Sequence, residues 1–450
     1  MSFKTLKLLS TTALLVSSSV AMAVPFSSFD PRSMGMGGAG VAVGNAATAP
    51  LFNPALLSAS REDARFALTI PTIGIRVADP DKLSDSITQF QDGKYLDNVS
   101  SSVTALNTAI NNAANYTGTD PVAAQNLVTA VQNAAVKVSN DTRTVNTQLT
   151  TLRNKPITLD GGVATVVAIP GDQLGIAFYA NGSVSAGGLF MYGDNDYQLI
   201  QSLATKAASW ASITQTCLLD PVCRATYATL PNFSSSDFKE TGIHARGVVL
   251  TEMGMAFSSD LGYMTWGLTP KIIKAQLYDS LILVNNTNQS QATNDDYKAE
   301  YSFMNFDLGI ATYDKVGWRT GLVIKNIIPQ TLDFKYKQTP LSNPLSLKPL
   351  ARVGVSHTTS WSTVALDIDV TKNDPAGFEQ ATQYTALGIE LNAFDWMQLR
   401  AGYRMDMVNS DRSVTSVGLG LSPFGIPHFD IAVAGNASEV GASLQFGVHF

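Results

Sequence analysis

The last ten residues, Gly441-Ala-Ser-Leu-Gln-Phe-Gly-Val-His-Phe450, alternate strictly between two kinds of side chain. The apolar set, counted back from the end, is Phe450, Val448, Phe446, Leu444 and Ala442. The residues between them are polar or glycine. A period of two predicts a β-strand with one face in an apolar medium and the other in water. The final strand of a soluble sandwich and a lipid-facing strand of a transmembrane barrel both satisfy this pattern.

The N-terminus has the features of a secretory signal. Lys4 and Lys7 precede the apolar or small residues 8–20, and residues 21–23 form the small-x-small cleavage site Ala-Met-Ala. The apolar stretch is too short and too rich in Ser and Thr for a spanning helix. We therefore predict a signal peptide over residues 1–23.

The composition favours a barrel over a soluble exported protein. Charged residues make up only 15% of the chain, and the mean hydropathy is +0.08. In soluble proteins, about a quarter of the residues are charged. A barrel explains the difference, because it shows lipid an apolar band and hides polar surface inside. The net charge of −6 gives no basic footprint, so we predict no nucleic-acid partner.

Fourteen alternating segments fill the parts of the chain without helical or loop-like sequence, and single-chain bacterial barrels have an even number of strands. We predict an all-β transmembrane barrel of about fourteen antiparallel strands. The predicted strands are 64–77, 160–169, 173–191, 244–258, 260–274, 301–313, 316–327, 349–358, 361–371, 381–391, 396–407, 414–421, 428–435 and 441–450.

The connections between these segments alternate in length. Every second one is short, whereas the others include the long stretches 78–159, 192–243, 275–300 and 328–348. Short periplasmic turns and long external loops are typical of outer-membrane barrels, and a soluble sandwich has no reason to sort its loops this way. Aromatic residues such as Trp318, Trp361 and Trp396 lie beside the short turns, which indicates an interfacial girdle or ordinary strand enrichment.

The alternation also assigns the charged residues of the strands to one face. A charge on the lipid face costs about 2–4 kcal/mol near the midplane, so the charged face must line the lumen. We predict that these charges form a structural network that holds a plug. Its members are Asp307, Arg319, Lys325, Arg352, Asp367, Asp369, Glu390, Arg400 and Arg404.

Two inserts interrupt the barrel, which we assign to residues 61–450. Insert 78–159 has helical spacing of its apolar residues, broken into two arms at 118–121. Insert 192–243 contains a shorter predicted helix followed by a loop with both cysteines. The expected arrangement is amphipathic helices packed over the external barrel mouth, with coiled-coil binding of a partner as the alternative.

Cys217 and Cys223 are the two cysteines of the chain. An exported protein meets an oxidising compartment, so we predict a disulfide between them. Their spacing is not the redox C-x-x-C pattern, and no histidine pair lies near enough to complete a zinc site.

The sequence does not favour an enzyme. None of the four histidines pairs with another at metal-ligand spacing, so we predict no metal and no cofactor. Ser356 and His357 are neighbours, but strand alternation places them on opposite faces, which prevents a nucleophile–base pair.

A glycine-rich segment lies between the signal and the first strand. Gly35 to Gly40 satisfies G-x-G-x-x-G, but no strand precedes it and no βαβ unit follows, which excludes a dinucleotide site. Glycine allows close backbone packing instead. We assign residues 24–60 to an N-terminal plug inside the barrel. The residues expected to bind a ligand or form this plug are Gly35, Gly37, Gly38, Asn53 and Pro54.

The stretch Arg-Ser-Met-Gly-Met-Gly-Gly-Ala at 32–39, followed by Asn-Pro-Ala at 53–55, resembles the N-terminal hatch of FadL-like outer-membrane barrels. Within that superfamily the chain is most similar to the exported TraF-like proteins of conjugal transfer. The resemblance implies a fourteen-stranded barrel in the bacterial outer membrane, in contact with lipid and plugged by its N-terminus. The terminal Phe450 resembles the signal read by the barrel assembly machinery.

The resemblance leaves two functions open. Transporting members take up hydrophobic molecules such as long-chain fatty acids, which would make a hydrophobic compound the ligand. Related members are anchors or shuttles for secretion machinery, which would make conjugation or secretion components the partners. The large insert 78–159 departs from the plain transporter pattern. An apolar cavity beside residues 24–60 would favour transport.

Overall fold

The computed structural model describes residues 29–59, 65–284, 295–336, 339–340, 344–394 and 396–449. Within them, fourteen strands form one closed antiparallel barrel, and the first strand pairs with the last to complete it. The predicted fold class and strand number are therefore confirmed. The predicted signal peptide over 1–23 and the terminal Phe450 lie outside the described residues.

The barrel strands follow one another in chain order around the wall, so each is joined to its neighbour by one connection. One external connection contains four further short strands, which pair to form two small two-stranded sheets. The barrel strands are β1 Ala67–Ala78, β2 Pro156–Ile169, β3 Gly175–Met191, β4 Gly242–Asp260, β5 Thr265–Leu283, β6 Lys298–Tyr313, β7 Trp318–Lys325, β12 Leu350–Thr358, β13 Ser362–Asp369, β14 Tyr384–Phe394, β15 Met397–Asp406, β16 Val414–Leu421, β17 Pro427–Gly435 and β18 Glu439–His449. The short strands are β8 Gln330–Leu332, β9 Lys335–Tyr336, β10 Thr339–Pro340 and β11 Leu345–Leu347.

Side chains alternate across the wall as the sequence pattern predicts. On β5 the side chain of Ile272 is 51% exposed, while that of Ile273 is fully buried. On β18 Leu444 and Phe446 face outward, and Gln445 between them is buried in the lumen. The exposed apolar residues form a continuous belt, as lipid requires. A closed barrel leaves no unpaired strand edge in the bilayer, which places the protein in the bacterial outer membrane as predicted.

The connections are sorted by length between the two ends. Short turns such as 170–174, 261–264 and 314–317 lie at one end, and the external connections lie at the other. One predicted connection, 275–300, is wrong. Strand β5 continues to Leu283 and β6 begins at Lys298, and polar outward residues such as Gln276 hide the alternation in the part of β5 that was missed.

The two inserts together form one helical domain, which we define as residues 79–155 and 192–241. Its helices share a single apolar core that includes Val103, Val131 and Leu203. The bounds are α4 Leu83–Asp92, α5 Tyr95–Ala114, α6 Pro121–Leu152, α7 Asp194–Trp210, α8 Gln215–Leu219 and α9 Pro221–Arg224. In the part of the chain that the structure describes, no helix is both long enough and apolar enough to cross a bilayer.

The sequence predicted that the helices would pack over the barrel mouth. The helical domain lies beside the barrel wall instead. Its core packs against Ile157, Phe190 and Ile243 at the external ends of β2 to β4, beside the wall. These side chains lie on the outward face of their strands, so they offer the helices an apolar surface outside the lumen. The mouth is instead occupied by the connection 370–383 and by residues such as Leu332, Phe334 and Leu347 from the connection between β7 and β12.

Residues 29–59, which we call the lumen segment, run inside the barrel. The segment contains three short helices, α1 Pro31–Gly35, α2 Ala49–Phe52 and α3 Leu56–Ala59. Asp30 caps α1, since its carboxylate accepts a hydrogen bond from the Ser33 amide at 2.7 Å. Helix α1 packs on β15 to β18, and α3 packs on β3 to β6, so the segment spans the lumen between opposite walls.

Candidate functional site

The glycine turn of the lumen segment lies directly against the wall. Gly37 and Gly38 have φ angles of +72° and +98°, which side chains with a Cβ rarely adopt. A Cβ at Gly37 would also approach the Tyr403 carbonyl oxygen to 2.7 Å, and one at Gly35 would approach the Gly418 Cα to 3.1 Å. The glycines therefore allow both the turn and its close approach to β15 and β16.

Backbone groups of the segment pair with polar side chains of the wall. The amides of Gly40 and Val41 donate to one carboxylate oxygen of Asp367, at 2.7 and 2.9 Å. The Gly37 amide donates to the Ser416 hydroxyl at 3.0 Å. Buried backbone donors need partners, and here the wall supplies them.

A chain of charges links the lumen segment to three strands. Arg32 donates two hydrogen bonds to the carboxylate of Glu390, at 2.8 and 2.9 Å. Glu390 also accepts from Arg400 at 2.7 Å, and Arg400 donates to Asp430 at 2.6 Å. Positive and negative side chains alternate along this chain, so each buried charge has a partner of opposite sign that offsets its desolvation. Sequence reasoning found Glu390 and Arg400 but missed Arg32 and Asp430.

Three further predicted cations contact the lumen segment through its carbonyl oxygens. Arg352 donates to Gly38 at 3.3 Å and pairs with Asp369 at 2.6 Å. Arg319 donates to the Ala59 carbonyl at 2.8 Å, and Lys325 to that of Leu51 at 2.8 Å.

Two other predicted charges contact different partners. Asp307 forms an ion pair with Lys271 at 3.0 Å and accepts from the Asn326 amide at 2.8 Å. Arg404 pairs with Glu439 at 2.6 Å. The structure thus brings these two into the lumen, where they connect parts of the barrel rather than the segment to the wall.

Asn53 and Pro54 fasten the middle of the segment. The Asn53 amide donates to the carbonyls of Val41 and Ile310, at 3.1 and 3.2 Å, and its side chain is fully buried. Pro54 lies against Gly267 of β5. The structure places both residues in contact with the wall, where they hold the segment in position.

A set of wall glycines is the feature that sequence reasoning missed. A Cβ on any of them would overlap or crowd the lumen segment. They share the inward face of their strands, and neighbouring members pair across strands, as Gly388 does with Gly402. The signal was present in the sequence as glycine at inward positions. The set is Gly267, Gly309, Gly321, Gly388, Gly402 and Gly418.

Burial inside the lumen changes the acidity of the segment's capping residue. It raises the pKa of Asp30 from 3.8 to about 6, and the nearby Asp430 carboxylate acts in the same direction. The Ser33 amide and the guanidinium groups of Arg400 and Arg32 oppose this shift. The pKa of the Asp30 carboxyl therefore lies well above that of an exposed aspartate.

The cavities beside the lumen segment are small and partly polar. One, of about 70 Å³, is lined by residues that include Leu51, Tyr179 and Lys271. A second, also about 70 Å³, is lined by residues that include Arg76, Glu379 and Arg404. Pockets that hold small organic ligands measure about 300–1,000 Å³. These two cavities are therefore too small for a long-chain ligand.

A larger apolar pocket of about 470 Å³ lies between the helical domain and the external ends of the strands. Ile243 of β4 and Ile282 of β5 lie side by side on these adjacent strands and line the pocket. They face away from the lumen, since the next residue along β4, His244, binds the buried Asp279. The pocket therefore lies outside the barrel wall. The apolar lining includes Phe90, Leu96, Leu149, Phe190, Ile243 and Ile282.

The predicted disulfide joins Cys217 to Cys223 in the helical domain. Among the described residues, no group of three or more His, Cys, Asp or Glu side chains is arranged to hold a metal ion.

Comparison with curated protein sequences finds no match. In overall structure the chain is similar to the toluene transporter TbuX of Ralstonia pickettii, with 12% identity, a TM-score of 0.48, and coverage of 94% of this chain and 98% of that one. It is also similar to the toluene transporter TodX of Pseudomonas putida, with 12% identity, a TM-score of 0.47, and coverage of 95% and 99%. A Pseudomonas aeruginosa FadL homologue matches at 10% identity, with a TM-score of 0.48 and coverage of 96% and 99%.

A sequence-family model also matches the chain, and the match covers most of the barrel strands. Residues 50–369 match the model described as F plasmid transfer operon, TraF, protein. The matched part runs from helix α2 to the end of β13 and includes the whole helical domain. The chain therefore belongs to this TraF family.

Proposed function

We propose that this protein is a plugged outer-membrane barrel that binds hydrophobic small molecules, such as long-chain fatty acids, in the pocket beside its helical domain. The apolar pocket of about 470 Å³ is the observation that carries the proposal. Its volume lies within the range of sites that hold small organic ligands. Burial of apolar ligand surface against such a lining contributes about 25 cal/mol per Å².

Polar groups at the edge of the pocket suit a ligand with a charged head. Lys94 is exposed at the margin, where its ammonium group would pair with a carboxylate. Asp97 also lines the pocket, so a ligand with several negative charges would be repelled more strongly than a ligand with a single carboxylate. A long-chain fatty acid, with an apolar chain and one carboxylate, satisfies both conditions.

Binding and passage are separate steps in this proposal. The pocket lies outside the wall, whereas the two cavities described beside the lumen segment measure about 70 Å³ each. A ligand bound beside the helices would reach the lumen only after a rearrangement. We therefore propose capture of the ligand as the primary activity.

The test is direct binding of a fluorescent long-chain fatty acid to the protein in nanodiscs, without detergent that would compete. We expect saturable binding that Phe90→Asp weakens at least tenfold, because the substitution puts a carboxylate in the apolar lining. Val122→Asp is the matched control, since Val122 is 68% exposed on α6 and lies outside the pocket. Equal binding by both variants would contradict the proposal.

A second candidate is a structural or assembly role at a conjugation or secretion apparatus in the outer membrane. The family description, which refers to a plasmid transfer operon, favours it. Deleting the gene would then lower the frequency of plasmid transfer, and a Phe90→Asp variant would restore it fully. A wild-type transfer frequency in the deletion strain would argue against this role.

A further inference from the structure

The external connection 370–383, which we call the strap, crosses the barrel mouth. It leaves the wall after β13 and returns at β14. Around the barrel, four strands separate this pair from β1 to β4 in either direction. The strap nevertheless contacts β1, β3 and β4, so it reaches the opposite wall.

The two legs of the strap are pinned together at its base. The amide of Asn373 donates to the Thr382 carbonyl at 2.7 Å, and the amide of Thr382 donates back to Asn373 at 2.8 Å. Asp369 fixes this base, since its carboxylate accepts from the Asn373 side chain at 2.8 Å and from the Tyr384 amide at 2.9 Å. The strap therefore starts from a rigid anchor.

Three consecutive residues at the tip each contact the far wall. Gly377 lies so close to Gly187 of β3 that a Cβ on it would be 2.9 Å from the Gly187 Cα. The Phe378 ring packs on His244 of β4, with ring centroids 4.8 Å apart. Glu379 lies 3.8 Å from the Arg76 guanidinium of β1.

The neighbouring hairpin of β8 and β11 packs beside the strap. Leu332 and Phe334 are buried in a cluster with Leu250 and Ile273, which face the lumen from β4 and β5. Ala376 of the strap joins the same cluster. The mouth is therefore filled from the external side by packed side chains.

We propose that the strap is a second gate, latched across the mouth independently of the lumen segment. The two closures act in series and enclose the small cavity between them. That cavity is lined by Pro375 and Glu379 of the strap and by Gly37, Gly38 and Phe52 of the lumen segment. Removing the lumen segment alone then leaves the barrel closed. This inference concerns the barrel itself and is independent of what binds in the outer pocket.

The test compares four proteins by conductance in planar bilayers: wild type, a deletion of residues 33–53, a shortened strap, and both changes together. The shortened strap replaces residues 374–381 with Asn-Gly, because the paired residues Asn373 and Thr382 already have the geometry that a two-residue hairpin turn requires. Heat-dependent gel mobility verifies that each barrel has closed. We expect the double variant to conduct at least tenfold more than the 33–53 deletion. Equal conductance of these two, whether high or low, would overturn the proposal.

A point variant tests the latch without any deletion. Gly377→Ala should force the tip away from Gly187 and make Glu379 accessible to a glutamate-specific protease added to whole cells, with cleavage at least threefold faster. Lys372→Ala is the matched control, since Lys372 is exposed on the same strap. Cleavage of Gly377→Ala at the control rate would contradict the latch, and fatty-acid binding should be unchanged in both variants.

Discussion

At the scale of single residues, the lumen is organised by glycine on the wall as much as by glycine on the segment. Gly402 is a clear case, because a Cβ there would overlap the Gly37 amide nitrogen. A lumen charge such as Asp367 then acts at short range, since the backbone it binds lies directly against the strand. The wall glycines let the segment approach, and the polar side chains of the wall then bind its backbone.

Gly402→Val should displace the lumen segment while leaving the barrel closed. The added side chain occupies the space of the Gly37 backbone, and the surrounding strands cannot move apart without breaking their hydrogen bonds. We expect proteolysis within residues 33–53 to become at least tenfold faster in detergent-solubilised protein. Ala401→Val is the matched control, because Ala401 faces outward on the same strand. Equal protection in both variants would argue against the contact.

Asp30 should make the seating of the lumen segment depend on pH. Its pKa of about 6 inside the barrel lies above the value of 3.8 that it has in water. The protonated form is therefore favoured in the seated state, and its contribution is lost as the pH rises through 6. We expect the segment to be more stable at pH 5 than at pH 7.5 by about 1 kcal/mol.

The measurement is the protease resistance of the segment across this pH range. Asp30→Asn is the comparison, because Asn keeps the N-cap hydrogen bond but does not titrate. The charges of Asp430, Arg400 and Arg32 act on residue 30 in both proteins, so only the difference between the two pH profiles reports the Asp30 carboxyl. Identical pH profiles would show that the Asp30 carboxylate does not control seating.

At the scale of elements, the helical domain has a core separate from the lumen. Its apolar cluster joins both inserts, with Leu106 and Val131 from one and Leu203 and Leu218 from the other. The disulfide closes a short loop at the end of this core, where Cys217 is buried. The helical domain therefore has its own apolar core, distinct from the apolar clusters around the lumen segment.

Cys217→Ser together with Cys223→Ser should loosen the helical domain only. The loop between the cysteines is short, so its closure contributes about 2 kcal/mol on the chain-entropy estimate. We expect faster hydrogen exchange in α7 and α8 and no change in the barrel strands. In the wild type, a maleimide should label both thiols from outside the cell after reduction. Labelling from the periplasmic side alone would reverse the topology.

At the scale of the whole molecule, closure of the wall is the property that the other features depend on. The pairing of β1 with β18 leaves no free strand edge, and the apolar belt surrounds the barrel. A lumen bounded by fourteen strands is wider than wall side chains can fill, since eight strands are already near that limit. The lumen segment and the strap occupy this space.

Deleting Phe450 should reduce insertion into the outer membrane. The preceding strand β18 closes the barrel, and its C-terminal end pairs with the start of β1, where His449 lies opposite Ala67. We expect less mature protein, beginning at Val24, in the outer-membrane fraction. The protein that fails to insert should run at the same gel mobility before and after boiling. Ser438→Ala, in an external turn, is the control. Normal outer-membrane levels of the truncated chain would contradict the prediction.

The sequence by itself determined the barrel, because alternation, loop length and inward charge are local properties of each strand. It placed Arg400 and Gln445 on the lumen face, since a period of two has only two possible faces. It could not show that Gly402 meets Gly37, or that Gly377 reaches Gly187, because these residues are far apart in the chain. Only the tertiary structure decided how the lumen is filled, since those contacts depend on which strands face each other across the closed barrel.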